Sequence, residues 1–300
     1  MIFKVLDADE LTVLYESLKF QLPGSSKIFY VVDRMVKGKC PGFEIITDNW
    51  PNWKCVIGRP QPDNAKVPEF LKSTYICHTN STKALKYFIQ RPGVINWSKP
   101  GILSGIPYDL TCTLKEVSKK NGGSLSNQNQ CFMYAWQQKD PPPPPEVPKK
   151  LHLACLEPSQ AKYLSKQWYS SGQTEQEKQS QKLMSMLLDN FESSCLMDSD
   201  GEVLAYAWLQ NYGSMGGLFV KPDHRRKGYG IMVMQDLTRK VMKKGHVPYV
   251  YTVTNDTPAI NMMQKLGFRW VPSGDTTWVQ HTPTSMLLPN GKPKVELPLI

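Results

Sequence analysis

Leu218-Phe219-Val220-Lys221-Pro222-Asp223-His224-Arg225-Arg226-Lys227-Gly228-Tyr229-Gly230 carries an apolar run into a basic turn with two glycines. The segment after it, Ile231–Lys244, sets Met232, Met234, Leu237 and Val241 into a helix. The stretch therefore predicts a strand, a cradle and a helix. Within it, Arg225, Gly228 and Gly230 form the pattern R-x-x-G-x-G. Glycines let a backbone approach a ligand closely. The first N–H groups of a helix have no partner inside it, and the helix dipole adds positive potential at that end. With Arg225, Arg226 and Lys227 adding charge, a pyrophosphate is the natural guest. An ordinary basic helix start is the plain alternative, and the neighbouring elements favour the pyrophosphate site.

Upstream of the cradle, Cys195–Met197 and Val203–Leu209 flank Asp198-Ser199-Asp200-Gly201, a hairpin signal, and Met215–Val220 is the strand that enters the cradle. Leu151–Leu156 is strand-like, while Ser159–Trp168 and Thr174–Phe191 have helical character. Downstream, Tyr249–Thr254 alternates as a strand does, Pro258–Leu266 is a helix closed by Gly267, and Trp270-Val271 and Thr276–His281 supply the last strands. In the first half, Leu11–Lys19 is a helix served by Asp9 or Glu10. Lys27–Val36, Phe43–Thr47, Lys54–Ile57 and Thr74–His78 are expected strands, and Lys83–Gln90 a helix. This alternation predicts an α/β or α+β fold.

Pro141 to Pro145 interrupt the chain with five consecutive prolines, which favour an extended polyproline II spacer; a ligand for a proline-binding domain is the lesser alternative. The expected organisation is a first domain over 1–138, a linker over 139–150, a second domain over 151–285 and a tail over 286–300.

The 300 residues are 40% hydrophobic and 21% charged, enough to bury a sizeable core. No apolar run is long enough to predict a membrane span. Lys4 followed by Asp7, Asp9 and Glu10 is unlike a secretion signal or an ordinary transit peptide. The seven cysteines make no C-x-x-C pair, so neither a zinc site nor a disulfide framework is indicated. The net charge of +10 is concentrated: over 221–244, eight Lys and Arg stand against Asp223 and Asp236. Charge focused on one loop and helix, without interleaved aromatic platforms, argues against nucleic acid and for a small phosphorylated ligand.

On these residues the sequence resembles the GNAT acyltransferase superfamily, whose pyrophosphate motif is [RQ]-x-x-G-x-[GA]. Asp256, Ala259, Met263 and Gly267-Phe268 stand where its members carry Asn, Ala, Tyr and Gly-Phe. Further motifs narrow the resemblance to the glycine N-acyltransferase family: Leu14–Leu22 with Pro23, Asp48-Asn49-Trp50-Pro51, Ile95-Asn96-Trp97, Trp168 followed by Gly172 and Glu175, and Lys221–Tyr229. The resemblance implies a GNAT domain, an α/β (α+β) mixed twisted sheet flanked by helices, preceded by a related N-terminal α/β half, in tandem. It implies transfer of an acyl group from acyl-CoA to the amine of glycine, with acyl-CoA as co-substrate and neither a resident cofactor nor a metal. Leu218, Phe219, Val220, Arg225, Arg226, Lys227, Gly228, Tyr229, Gly230 and Asp256 would then hold the CoA.

Two departures concern catalysis. Ser214 occupies the position where active relatives place a Glu, and a serine has little basicity near neutral pH; it is nevertheless the candidate catalytic residue. Met263 replaces a tyrosine that protonates the departing thiolate in many GNAT enzymes. An acyl-CoA-binding regulator with weak or lost transferase activity is therefore the alternative function, and transfer to a protein or polyamine amine a third. The resemblance suggests the mitochondrion, with the cytoplasm as alternative.

Overall fold

Runs of Ile, Val and Phe build the first strands. β1 (Lys4–Val5), β2 (Phe43–Thr47), β3 (Cys55–Pro60) and β4 (Thr74–Thr79) pair antiparallel in that order, and β5 (Gly101–Ile106) joins β4 in parallel. The computed structural model describes residues 3–40, 42–61, 71–168 and 174–294. Gly172 and the end of the tail lie outside the described residues. By its internal contacts the chain divides into two units, Met1–Phe132 with Pro272–Leu299, and Met133–Val271.

β6 (Gly123–Ala135), which belongs to the first unit up to Phe132 and to the second from Met133, and β13 (Thr276–Pro283) complete the first unit's sheet, with β13 antiparallel to both β5 and β6. The expected second domain over 151–285 thus loses its last strand to the first unit. Periodicity announces a strand but not its partner. Here the partner is fixed by burial: Val279 enters a core built from Ile57, Leu85, Phe88, Leu103 and Leu114.

Helix α1 (Ala8–Lys19) starts on a reciprocal cap. The Asp7 carboxylate accepts from the Glu10 N–H at 2.9 Å, and the Glu10 carboxylate accepts from the Asp7 N–H at 2.9 Å. Asp7 is therefore the cap, with Glu10 its partner and Asp9 in the first turn.

The expected strand over Lys27–Val36 is instead helix α2 (Ser26–Val36). Its β-branched residues suit a strand, but Ile28, Val31 and Val32 also fall at helical spacing, and all three are buried. Gly58 of β3 decides the matter. A side chain there would meet Ile28 Cδ1 and Ile45 Cδ1 at 3.3 Å, so its absence lets a helix lie close on the sheet. Helices α3 (Thr82–Phe88) and α4 (Thr111–Lys120) complete the unit.

His281 of β13 ties this unit together. Its Nε2–H donates to the Trp97 carbonyl at 2.8 Å, which leaves Nδ1 to accept from the Ser118 hydroxyl at 2.7 Å. Burial lowers the His281 pKa, keeping it neutral in this role. A serine–histidine pair 0% and 1% exposed serves as a cross-link, out of reach of substrate.

The second unit repeats the plan. Strands β7 (Leu151–Ala154), β8 (Ser193–Asp198), β9 (Val203–Leu209) and β10 (Met215–Val220) are antiparallel neighbours, and β11 (Tyr249–Val253) is parallel to β10. Helices α5 (Ala161–Trp168), α6 (Thr174–Asn190), α7 (Tyr229–Lys243) and α8 (Thr257–Leu266) accompany them, and β12 (Arg269–Trp270) pairs with Tyr134 and Ala135. The proline segment joins the end of β6 to β7, two strands of this same unit, so it does not space two units apart. It is fastened instead: Trp136 Nε1–H donates to the Asp140 carbonyl at 2.9 Å, and Arg239 of α7 donates to the Pro142 carbonyl.

Candidate active site

The site begins where β10 leaves its neighbours. Against β9, the ladder slips between Gly216 and Phe219, a bulge centred on Gly217 at φ +62°. A side chain on Gly217 would sit 2.3 Å from the buried Trp208 ring, so the strand bends there only because the residue is glycine. Against β11, Met215–Val250 is the registered pair. Beyond it the two strands diverge. In the first unit the equivalent parallel strands, β4 and β5, stay registered over three pairs.

The divergence opens a cavity of about 860 Å³. Leu218, Phe219 and Val220 of β10 form one wall, and Val250 to Val253 of β11 the other. Its far end is the cradle, where Arg225, Arg226, Gly228, Tyr229 and Gly230 line the surface. Gly228 caps α7 at φ +83°, with no side chain to occupy the free N–H groups of the first turn. Arg226 has φ +62°, the one positive value outside glycine among the described residues. Left-handed backbone thus stands on both sides of Lys227 at the head of α7. Such a conformation at a non-glycine costs about 1–2 kcal/mol, so the loop holds Arg226 in a strained backbone.

Gly230 carries the test of fit. A side-chain carbon there would stand 3.4 Å from Val220 Cγ2 and 3.7 Å from Met262 Sδ, ordinary contacts for the protein itself. The chain does not need glycine at this point, but a closely seated ligand would. Arg225 is aimed by its own backbone, Nε–H donating to the Val220 carbonyl at 3.2 Å. His224 stacks on Tyr229 with ring centroids 6.0 Å apart. Lys221 is drawn away by an ion pair with Glu202, whose hydrogen bond raises its pKa.

The structure thus brings together nine of the expected binding residues and leaves Lys227 exposed beyond the wall. Asp256 lines the cavity, but its carboxylate also caps α8, accepting from the Ala259 N–H at 3.1 Å. Ser214 departs from expectation. It is 3% exposed, it is not part of the wall, and its hydroxyl donates to the Met215 carbonyl at 3.3 Å. The tight turn is responsible, since the Gln210 N–H donates to the Ser214 carbonyl at 2.8 Å and closes the hairpin over it. Met263 is 2% exposed and lines the wall, with no proton to offer a thiolate. Sequence reasoning missed the walls supplied by β11 and by Met215, Met234 and Met262. Their alternation was visible, but the splitting of two strands was not. No group of His, Cys, Asp and Glu among the described residues could hold a metal ion.

A split pair of parallel strands leading to a glycine-capped, arginine-flanked helix start defines an acyltransferase fold of the GNAT type. Comparison with solved structures agrees on the fold. A Drosophila protein determined by X-ray diffraction superposes with a TM-score of 0.74 at 15% identity, over 94% of this chain and 99% of that one. A tandem GNAT protein from the clavulanic acid biosynthesis pathway gives 0.52 at 12% identity, over 93% and 97%. The sequence model for aralkyl acyl-CoA:amino acid N-acyltransferases matches residues 2–192, and that for FR47-like proteins matches 196–279. The chain belongs to the aralkyl acyl-CoA:amino acid N-acyltransferase family. It is 24% identical to the rat glycine N-acyltransferase-like protein Keg1 over 298 residues, covering 93% of this chain and 98% of that protein. Bovine glycine N-acyltransferase is 21% identical over 293 residues, covering 92% and 98%.

Proposed function

We propose that the protein transfers an acyl group from acyl-CoA to the amine of glycine, giving an N-acylglycine and free CoA. The observation that supports this most is the cavity between β10 and β11 ending on the start of α7. The cradle offers backbone N–H groups, Arg225 and Arg226 to a pyrophosphate, and the apolar walls offer a lane for the rest of the donor. Transfer is direct. The glycine nitrogen attacks the thioester carbonyl, the carbon–sulfur bond breaks, and CoA departs as thiolate. The amine must lose one proton before it attacks and a second as the amide forms, and with Ser214 covered both go to solvent. The rate should therefore rise with pH up to the pKa of the free amine, without an earlier plateau set by a base of the enzyme.

The test is thiol release from benzoyl-CoA and from a long-chain acyl-CoA, with and without glycine, together with mass spectrometry of the products. Release that depends on glycine, with N-acylglycine formed, supports the assignment. Release dependent on a different amine would reassign the acceptor. The covered Ser214 and the inert Met263 favour a second reading, an acyl-CoA-binding protein with little turnover. Tight binding of acyl-CoA without conjugate, across several amino acids, would select it. The mitochondrial location suggested by the resemblance belongs to the same proposal, with the cytoplasm as alternative, and imaging of the tagged protein decides between them. The described residues contain no helix long and apolar enough to cross a membrane.

A further inference from the structure

The proline segment has more chain than its connection requires. It runs from the end of β6, where the Trp136 N–H donates to the Pro248 carbonyl beside β11, to β7 at the outer edge of the second unit's sheet. That path crosses five inter-strand spacings, about 24 Å at ~4.8 Å each, and also runs from the Ser193 end of β8 to its Asp198 end, about 16 Å at ~3.3 Å per residue, so the straight span is about 29 Å. About ten residues in polyproline II conformation would cover it. Residues 136–150 are used instead, with no helix or strand among them. A connection of this length without structure of its own, inside a compact unit, is uncommon and is usually functional.

Its sequence supplies the function. Pro144-Pro145-Glu146-Val147-Pro148-Lys149-Lys150 holds two apolar–proline pairs three residues apart, followed by a lysine. Proline fixes φ near −65° and excludes helix from the residue before it, so both pairs fall on one edge of a helix with three residues per turn. Grooves lined with aromatic rings read such an edge. Pro144, Glu146, Pro148 and Lys150 are exposed, and Pro145 and Val147 are half-buried.

The segment is also held ready. Trp136 grips the Asp140 carbonyl, Arg239 grips the Pro142 carbonyl, and Pro142 is buried. At the other end the Leu151 N–H donates to the Pro148 carbonyl at 2.8 Å, closing a turn with Lys149 and Lys150 at its corner. A ligand fixed at both ends loses little conformational freedom on binding.

We propose that Pro144–Lys150 is a docking ligand for an SH3-type domain, one whose aromatic groove ends in carboxylates that receive Lys150. This surface lies in a connection that plays no part in the acyl-transfer scheme, so the two assignments fail independently. The test is calorimetric titration of the full-length protein with a panel of purified SH3 domains that prefer P-x-x-P-x-Lys/Arg. Affinity for at least one domain should fall tenfold or more in the Pro145→Ala/Pro148→Ala double variant, and in Lys150→Glu. Melting temperature and acyl-CoA affinity should not change in either variant. Lack of binding by the full-length protein overturns the proposal, even where a free peptide of residues 139–152 binds, because the segment would then be held too closely to be read. Affinity that survives the double substitution, or binding to a WW or EVH1 domain in place of SH3, overturns it equally.

Discussion

Lys27 lies in the core of the first unit, 4% exposed, on a helix that the sequence presented as a strand. Its ammonium is 3.7 Å from the centre of the Trp278 ring, with Cys77 and Cys131 nearby. Burial pulls its pKa from 10.5 down to about 7. Below pH 7 the lysine is charged in both the folded and unfolded chain, and the folded state bears the full penalty of a buried charge. Between pH 7 and 10.5 the unfolded chain binds more protons than the folded one, so stability rises with pH. At about 1.4 kcal/mol per pH unit, the gain between pH 7 and 8.5 is about 2 kcal/mol.

The upper limit of that window matters. Burial raises Cys77 to about 12 and Cys131 to about 11, so above pH 9 the unfolded thiols begin to ionise and stability falls again. The perturbation is Lys27→Met, close in volume and without charge. Urea unfolding at pH 6.5, 7, 7.5, 8 and 8.5 should show the wild-type midpoint climbing by about 1 M more than that of the variant, for a slope near 2 kcal/mol per M. The attraction of the ammonium for Trp278 works against the burial penalty, by up to about 2 kcal/mol, and reduces the gain from removing the charge at low pH. It leaves the direction of the difference in pH dependence unchanged. Parallel pH profiles for the two proteins would refute the reasoning, because they would mean that Lys27 keeps an ordinary pKa in the fold.

Three substitutions test the remaining structure. Gly230→Ala should raise helix stability by about 1 kcal/mol, since alanine fits the protein without a clash, while weakening CoA binding at least tenfold; thermal melting and CoA titration on one sample would show the opposed signs. Arg226→Gly should relieve about 1 kcal/mol of left-handed strain, read as a higher urea midpoint, and again weaken CoA through the lost charge. His281→Ala removes a buried ring and leaves the Trp97 carbonyl and Ser118 hydroxyl without their partner, so a loss of about 3 kcal/mol in urea unfolding is expected.

The candidate site was legible from its local chemistry. R-x-x-G-x-G at the end of an apolar run prescribes a strand and an open helix start, because glycine torsions and unpaired N–H groups are properties of a few neighbouring residues. The hairpin at Asp198–Gly201, α7 and the Gly267 stop were legible for the same reason. Residues 26–36 were not. Ile28, Val31 and Val32 fall at helical spacing but carry the β-branched side chains that suit a strand, and Gly58, more than twenty residues away, is what admits a helix there.

By itself the amino-acid sequence determined the α/β class, the cradle and its basic flank, since each follows from short-range torsional preference and charge. Tertiary structure decided everything that depends on distant partners. It split β10 from β11 to make the cavity, because the slip at Gly217 is set by the Trp208 ring packed beneath it. It drew β13 into the first unit, where Val279 finds its core. It covered Ser214 beneath a closed turn, and it converted a proline spacer into a fastened strap. A strand's own residues specify its alternation, whereas its neighbours and its depth are chosen by the apolar area that the whole chain buries.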